Sequence, residues 1–280
     1  MDKISVVVCV KNEEERIRAC LEGIIKNSPD EIIVVDGNSY DNTVRIASEF
    51  TNKIIITKNS NLTRERQIGI NAANNNFIAM IDGDHVLEQG DLNGLLKDLV
   101  DNNYSIVQSQ LKSYCNENWM NRGEEEMWEL FHNIPGPKSM IGVAPAMYRK
   151  ELFENIQFDD TVTSTIDDTD FIYRLSQYRT SEGNHIKYGI GNVKISQRHT
   201  SKPEDYYNKF RWYGIGDGEF CVKHPNRKFS MWFHLHVRYQ IIYPIIAICK
   251  GKIYAARYCF IQGKERAKWM NYKIKELRTK

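Results

Sequence analysis

Short apolar runs alternate with amphipathic stretches along the first hundred positions. Ile4-Ser5-Val6-Val7-Val8-Cys9-Val10, Glu31-Ile32-Ile33-Val34-Val35-Asp36, Lys53-Ile54-Ile55-Ile56-Thr57 and Phe77-Ile78-Ala79-Met80-Ile81-Asp82 have the β-branched, apolar composition of buried strands. Between the first two, Ile17, Cys20, Leu21, Ile24 and Ile25 recur at helical spacing. Asn12 suits that helix's N-cap, and the glutamates after it suit the positive end of its dipole. Ser28-Pro29-Asp30 ends it. Val44, Ile46, Ala47 and Phe50 supply the buried face of a second helix, and residues 63–74, with Ile68, Ile70 and Ala72, read as a third. Strands alternating with helices predict a doubly wound, mostly parallel α/β sheet with helices on both faces.

Two of these strands end in acids, Asp36 and Asp82. Ligands of such sheets bind outside the carboxyl ends of the strands. Asp82-Gly83-Asp84 places two carboxylates on one side of an extended chain, a donor pair for a hard divalent cation and, through it, a diphosphate. A polar turn after a strand has the same composition. The loop after the first strand is not glycine-rich, and neither a GxGxxG nor a Walker lysine motif is present, so a metal bridge is the expected phosphate anchor.

Totals add little. The 280 residues carry a net charge of +2, so nothing demands nucleic acid. Six cysteines show no CxxC, which favours a reducing compartment and argues against a zinc ribbon. Met1 leads directly into the first strand, and no signal peptide is expected. Asn61-Leu62-Thr63 matches a glycosylation sequon by pattern only.

Several motifs in order resemble a family 2 glycosyltransferase of the GT-A fold. Val6 to Glu14 resembles the family's opening strand and Asn-Glu loop, and Ile32 to Thr43 its "vvDdgStDgT" segment. Arg66 to Ala73 resembles "aRNxGixxA", with Gln67 where asparagine is usual. Asp82-Gly83-Asp84 resembles the DxD motif, and Ile166 to Leu175 the "gEDxdlxxRl" segment, with Asp167 in place of glutamate. The resemblance implies roles. Asp36 would accept from the base, favouring uracil, while Val10, Asn12, Glu13, Asn38 and Gly83 would line the nucleotide sugar. Arg66 would meet the nucleotide, Asp82 would sit near ribose and metal, and Asp84 would bind Mn²⁺ or Mg²⁺. Asp168 would be the catalytic base, with Asp167 beside the acceptor or diphosphate, and His199 a third metal ligand or a structural histidine.

The second hundred residues are less patterned. Ser105 to Gln110 alternates like an exposed strand. Trp119 to Phe131 reads as a helix bordering an acceptor or as a plain surface helix, and Pro135-Gly136-Pro137 as a loop. Ile141 to Arg149 resembles the small-residue strand before the family's "fRr" element, where an acceptor could approach the backbone. Asp167 or Asp168 suits a helix N-cap, and a carboxylate so placed would be ionised at neutral pH and able to take a hydroxyl proton.

Asn208-Lys209-Phe210-Arg211-Trp212 is similar to the QxxRW motif of processive synthases. Those enzymes carry transmembrane bundles, and this chain has no run of about 18 apolar residues. Arg211 and Trp212 are therefore expected at an acceptor or diphosphate in a non-processive enzyme, or in a packed aromatic patch. His234 and His236 share a strand face by spacing and are expected in an interface or core. Residues 264–280 hold seven Lys or Arg against two Glu, interleaved with Trp269, Tyr272, Ile274 and Leu277. That suits a helix on an anionic membrane, or a packed helical hairpin with a solvated basic tip.

The expected organisation is a catalytic domain at 1–200, with a nucleotide-sugar half at 1–100 and an acceptor half at 101–200, followed by a membrane-associated helical extension at 201–280. The expected activity is inverting, metal-dependent transfer from a nucleoside diphosphate sugar, UDP-sugar favoured, to a glycan or lipid-linked acceptor at the cytoplasmic face of the membrane. Two rivals remain at this stage: a nucleotidyltransferase, which would release pyrophosphate, and an inactive glycan- or membrane-binding module.

Overall fold

The computed structural model describes residues 2–58, 60–115, 118–162, 165–198 and 202–279. They fall into two compact units. One draws on Met1–Lys112, Pro135–Thr163 and Asp167–Arg198, the other on Ser113–Ile134, Ser164–Ile166 and His199–Lys280.

In the first unit the chain runs β1 (Ile4–Val10), α1 (Ile17–Ile25), β2 (Glu31–Asp36), α2 (Thr43–Ala47), β3 (Ile54–Ile56), α3 (Leu62–Ala72), β4 (Phe77–Asp82), β5 (His85–Val86), α4 (Asp91–Asp101) and β6 (Ile106–Ser113). After α5 (Trp119–Met127), which belongs to the second unit, come β7 (Gly136–Pro137), β8 (Ala146–Arg149), α6 (Asp167–Gln177) and β9 (Tyr188–Gln197). Among the described residues nine strands form one sheet, ordered β3-β2-β1-β4-β8-β6-β9-β5, with β7 on β9. β1 to β4 pair in parallel, as the alternation of strands and helices requires. Beyond β4 the sheet turns antiparallel, through β8 against β4 and β6.

Three local expectations change. Asn12 is not a helix cap: α1 begins at Ile17, and Asn12 sits in the loop with φ +55°. β6 is interior rather than exposed, with Ile106, Val107 and Ser109 buried between β8 and β9. Its polar positions misled because Ser109 satisfies its hydroxyl locally, on the Gln110 carbonyl. Gly136-Pro137 pairs with β9 as a short strand rather than looping freely.

Strand alternation divides the core between the two sheet faces. Val6, Val8, Val34, Ala79 and Ile81 pack with α1, α2 and α4. Val7, Cys9, Ile33, Val35, Ile78 and Met80 pack with α3 and α6. Asp82 has the parity of Ile78 and Met80, so it comes off β4 on the α3–α6 side. α3 lies close to the sheet because Gly69 has no side chain: a Cβ there would collide with Val7 Cγ1 and lie 3.1 Å from Val35 Cγ2. Both neighbours are strand side chains locked in the core. Gly69→Ala is therefore expected to lower stability by about 1–3 kcal/mol, the usual cost of overpacking. Urea unfolding would read it, and an unchanged midpoint would mean that α3 sits further out.

The second unit is helical. α5, opened by an Asn118–Asn121 capping box, joins α7 (Pro203–Lys223), α8 (Lys228–Phe233), a π-helical stretch (His234–Ile242), α9 (Tyr243–Cys249) and α10 (Ile253–Arg278). His234 and His236 thus lie on a helix, not a strand. His234 packs edge-on against Tyr239 at 4.9 Å, and burial together with Arg266 and Arg238 pushes its pKa down to about 3. The basic tail is the last part of α10. It buries Ala267, Met270 and Ile274 against Cys221 and Leu235, and its Arg266 grips Asp217 at 2.9 and 2.8 Å. The apolar face of the tail is packed, as the helical-hairpin reading expects. No helix of the described residues is long and apolar enough to cross a membrane.

Candidate active site

The carboxyl ends of β1, β2 and β4 carry the candidate residues, and a buried arginine gathers the acids. Arg66 and Ile70 are one turn apart on the inner face of α3, so burial of Ile70 in the core turns Arg66 toward the end of β4. Arg66 as a whole is 3 % exposed. Nε donates to Asp167 Oδ2 at 2.9 Å, and Nη2 donates to Asp82 Oδ2 at 3.3 Å. Nη1 lies 3.0 Å from Asp82 Oδ1, but out of hydrogen-bond alignment, so those two buried atoms have charge compensation alone. Asp167, at the start of α6, shares a face with Phe171 one turn on, and Phe171 is core. One cation thereby ties the end of β4 to the start of α6. Arg66, expected on the nucleotide, and Asp167, expected at the acceptor or diphosphate, are engaged with each other.

Asp168 follows in the first turn of α6 and accepts from the Thr169 N–H at 2.5 Å. It keeps part of its surface open. Burial of the rest, and the neighbouring Asp167 charge, push its pKa up to about 7. The N-terminal position had suggested a fully ionised base at neutral pH; desolvation outweighs it, and the group is poised near neutrality instead. Asp170, two residues on, is buried against Arg174 Nε at 2.8 Å.

The turn after β4 is braced from several sides. A Cβ on Gly83 would lie 2.8 Å from Val10 Cγ1 and 3.4 Å from Glu13 Cγ, so only glycine lets the β1 loop close over it. Glu13 is held bidentately by Arg16 at 2.6 Å. Burial, followed by the charges of Asp84 and Asp82, raises its pKa, while Arg16 opposes the rise. Two residues not foreseen complete the brace. His85 Nδ1 accepts from the Asp82 N–H at 3.0 Å, which leaves the ring proton on Nε2. Gln197 Nε2 donates to Asp84 Oδ2 at 2.8 Å, and the Arg198 N–H donates to the Asp84 carbonyl at 2.8 Å. His85 adjoins the DxD pattern and could have been suspected; Gln197 lies on β9, and only the pairing of β5 with β9 reveals it.

The β1 and β2 loops are also joined. Asn12 N–H donates to Ser39 Oγ at 2.8 Å, and Asn12 Oδ1 accepts from the Tyr40 N–H at 3.1 Å. Ser39 in turn donates to both oxygens of the fully buried Asp36, at 2.8 and 2.5 Å. Asn38 between them has φ +64°.

The acids fit a divalent cation of the kind that takes one or two carboxylates and completes its shell with phosphate and water. Asp84 is the better donor, since Asp82 is engaged by Arg66. Among the described residues no three His, Cys, Asp or Glu side chains form a metal cage by themselves. His199 lies outside the described residues. Arg211 and Trp212 belong to the helical unit, where Arg211 stacks over Trp269 at 4.3 Å and Trp212 stacks on Tyr213 at 6.1 Å.

Residues 5–179 match the family described as Glycosyl transferase family 2. The chain is 28% identical over 181 residues to glycosyltransferase GlyA of Streptococcus pneumoniae, covering 56% of this chain and 26% of that protein. It is 31% identical over 119 residues to the cholesterol galactosyltransferase of Borreliella burgdorferi, covering 40% of this chain and 33% of the other. It thus spans about a quarter to a third of the length of these relatives. Among solved structures, S. aureus TarS 1–349 aligns over 99% of this chain and 91% of its own, with a TM-score of 0.55 and 16% identity. The glucosyl-3-phosphoglycerate synthase of Mycobacterium tuberculosis aligns over 76% and 78%, with a TM-score of 0.52 and 14% identity. At these identities the likeness is one of fold.

Proposed function

This chain belongs to glycosyl transferase family 2, and we propose that it transfers a sugar from a nucleoside diphosphate sugar to a hydroxyl of a glycan or lipid-linked acceptor, inverting the anomeric carbon. The observation that carries the reading is the Arg66 bridge, which holds Asp82 and Asp167, and hence the metal turn and the helix of Asp168, in one assembly. In this reading Asp168 takes the acceptor proton, and the oxygen attacks from the face opposite the leaving diphosphate. A base with a pKa near the working pH is the efficient choice. In this reading Asp36 meets the base of the donor once the Ser39 loop that covers it opens: each oxygen accepts from Ser39, and a carboxylate has further lone pairs for a uracil N3–H. TarS 1–349 solved with UDP-GlcNAc and the mycobacterial synthase solved with UDP-glucose and Mn²⁺ support a uridine donor.

Asp84, with Asp82, would hold Mn²⁺ or Mg²⁺, which when bound offsets the negative charge of the leaving diphosphate. Asp84→Ala is expected to abolish metal-dependent binding of a nucleoside diphosphate in calorimetry. The fold should survive, because this side chain supports no apolar core. Unchanged metal-dependent affinity would overturn the assignment. Release of free nucleoside diphosphate from a donor screen would support transfer; release of pyrophosphate would point to nucleotidyl transfer instead.

A further inference from the structure

The helical unit exposes a ridge that its own packing does not use. α9 buries only Ala247. Ile241 is 52% exposed, Ile245 56%, Ile248 61% and, across the turn at Gly251, Ile253 69%. Their helical spacing puts Ile241, Ile245 and Ile248 on one side of the helix. Phe229, 74% exposed and stacked on Trp232, stands earlier on the same helical run. Contiguous exposed apolar residues of this kind mark interaction surfaces.

The charge around the ridge selects the partner. From Phe220 to Lys264 the chain has eight Lys or Arg and no Asp or Glu. On the ridge hairpin these are Arg238, Lys250, Lys252 and Arg257. Lys252 pairs with Glu129 at 3.0 Å, and Arg257 stacks over Trp119 at 4.0 Å. A second copy of this basic ridge would set like charges against each other. An anionic lipid surface meets both halves of the pattern, acyl chains for the isoleucines and headgroups for the cations.

We propose that the ridge from Ile241 to Ile253 docks on an anionic membrane, with the isoleucines entering the headgroup–acyl boundary and the exposed Arg238 and Lys250 on the headgroups. This places membrane contact on the α9–α10 hairpin rather than on the basic end of α10, whose apolar face is already buried. It is independent of the sugar chemistry.

The test uses the full chain and vesicles of phosphatidylglycerol with phosphatidylcholine, against phosphatidylcholine alone. Co-sedimentation should occur with the anionic vesicles. The double variant Ile245→Glu, Ile248→Glu should lower the partition coefficient about tenfold or more, since it replaces apolar insertion with charge repulsion. Ile245→Ser, Ile248→Ser should lower it in the same direction without adding charge, which keeps the test valid should the glutamates disturb folding. Salt at about 1 M, where the Debye length is about 3 Å, should weaken the binding without abolishing it. Donor hydrolysis in vesicle-free buffer should be the same in all variants, so a failed membrane test and a failed transferase reading remain distinguishable. Vesicle binding unchanged in both double variants would overturn the proposal. So would absence of binding at low salt, or ultracentrifugation showing a dimer that the substitutions dissociate while vesicles are ignored.

Discussion

Asp168→Asn is expected to cut sugar transfer by about 10²–10⁴-fold, the range usual for loss of a general base, while nucleotide affinity stays at the parental level. The amide keeps an oxygen for the Thr169 N–H, so the start of α6 is still capped. What it loses is the ability to take a proton. The parental enzyme should show the matching pH dependence: kcat/KM falls as pH drops through about 7, because burial and Asp167 hold Asp168 protonated there. The stability effect has the opposite sense. A carboxyl raised from 3.8 to about 7 in the folded state lowers stability as pH rises through that window, because the folded chain holds a proton that the unfolded chain releases. Asp168→Asn should therefore raise the melting temperature at pH 8 and leave it nearly unchanged at pH 4. Pairing of Asp170 with Arg174 makes the contrast sharper. Asp170→Asn should harm folding more than it harms transfer, and a variant with normal stability and no transfer at that position would move the base two residues along.

Arg66→Met should lower the stability of the first unit by about 3–5 kcal/mol, the cost of removing one partner from a buried charge cluster. The side chain compensates two carboxylates, the buried Asp167 and the partly exposed Asp82, and no other cation contacts either of them in the hydrogen bonds and ion pairs described. Methionine fills much of the same volume, so the loss would be electrostatic rather than a cavity. The double variant Arg66→Met, Asp167→Asn should recover part of the loss, since it also removes one of the stranded charges; a double-mutant cycle by urea unfolding measures that coupling. Additive losses would show that Arg66 and Asp167 do not act together.

The parallel half of the sheet was legible because its information is local. β1 to β4 are nearly continuous apolar runs, their helices repeat apolar residues at helical spacing, and Asp82-Gly83-Asp84 sits where a strand must end. The antiparallel half was not. A period of two cannot tell an interior strand with satisfied polar side chains, such as β6, from an exposed one. Gly136-Pro137 has loop composition, and only pairing with β9 makes it a strand. Asn12 has the chemistry of a cap, yet what holds it is the loop after β2. Within the site, the candidate acids were visible as strand and helix ends, but Arg66 drew its expected role from the nucleotide. In the structure it also holds Asp167, which lies 101 positions further along the chain, beyond the reach of any local pattern.

The sheet order has a practical meaning for anyone cutting this gene. β4, the last parallel strand, is completed by β8 at residues 146–149, and Arg66 by Asp167. A fragment ending near residue 100 would leave Ile78, Ala79 and Met80 on a bare apolar strand edge, the template on which chains stack edge to edge into aggregates. It would also strip from Arg66 the helix that covers it, and with Asp167 half of its counter-charge. The nucleotide half is thus a region of the molecule and not a transplantable module; a soluble minimal fragment has to run at least through α6.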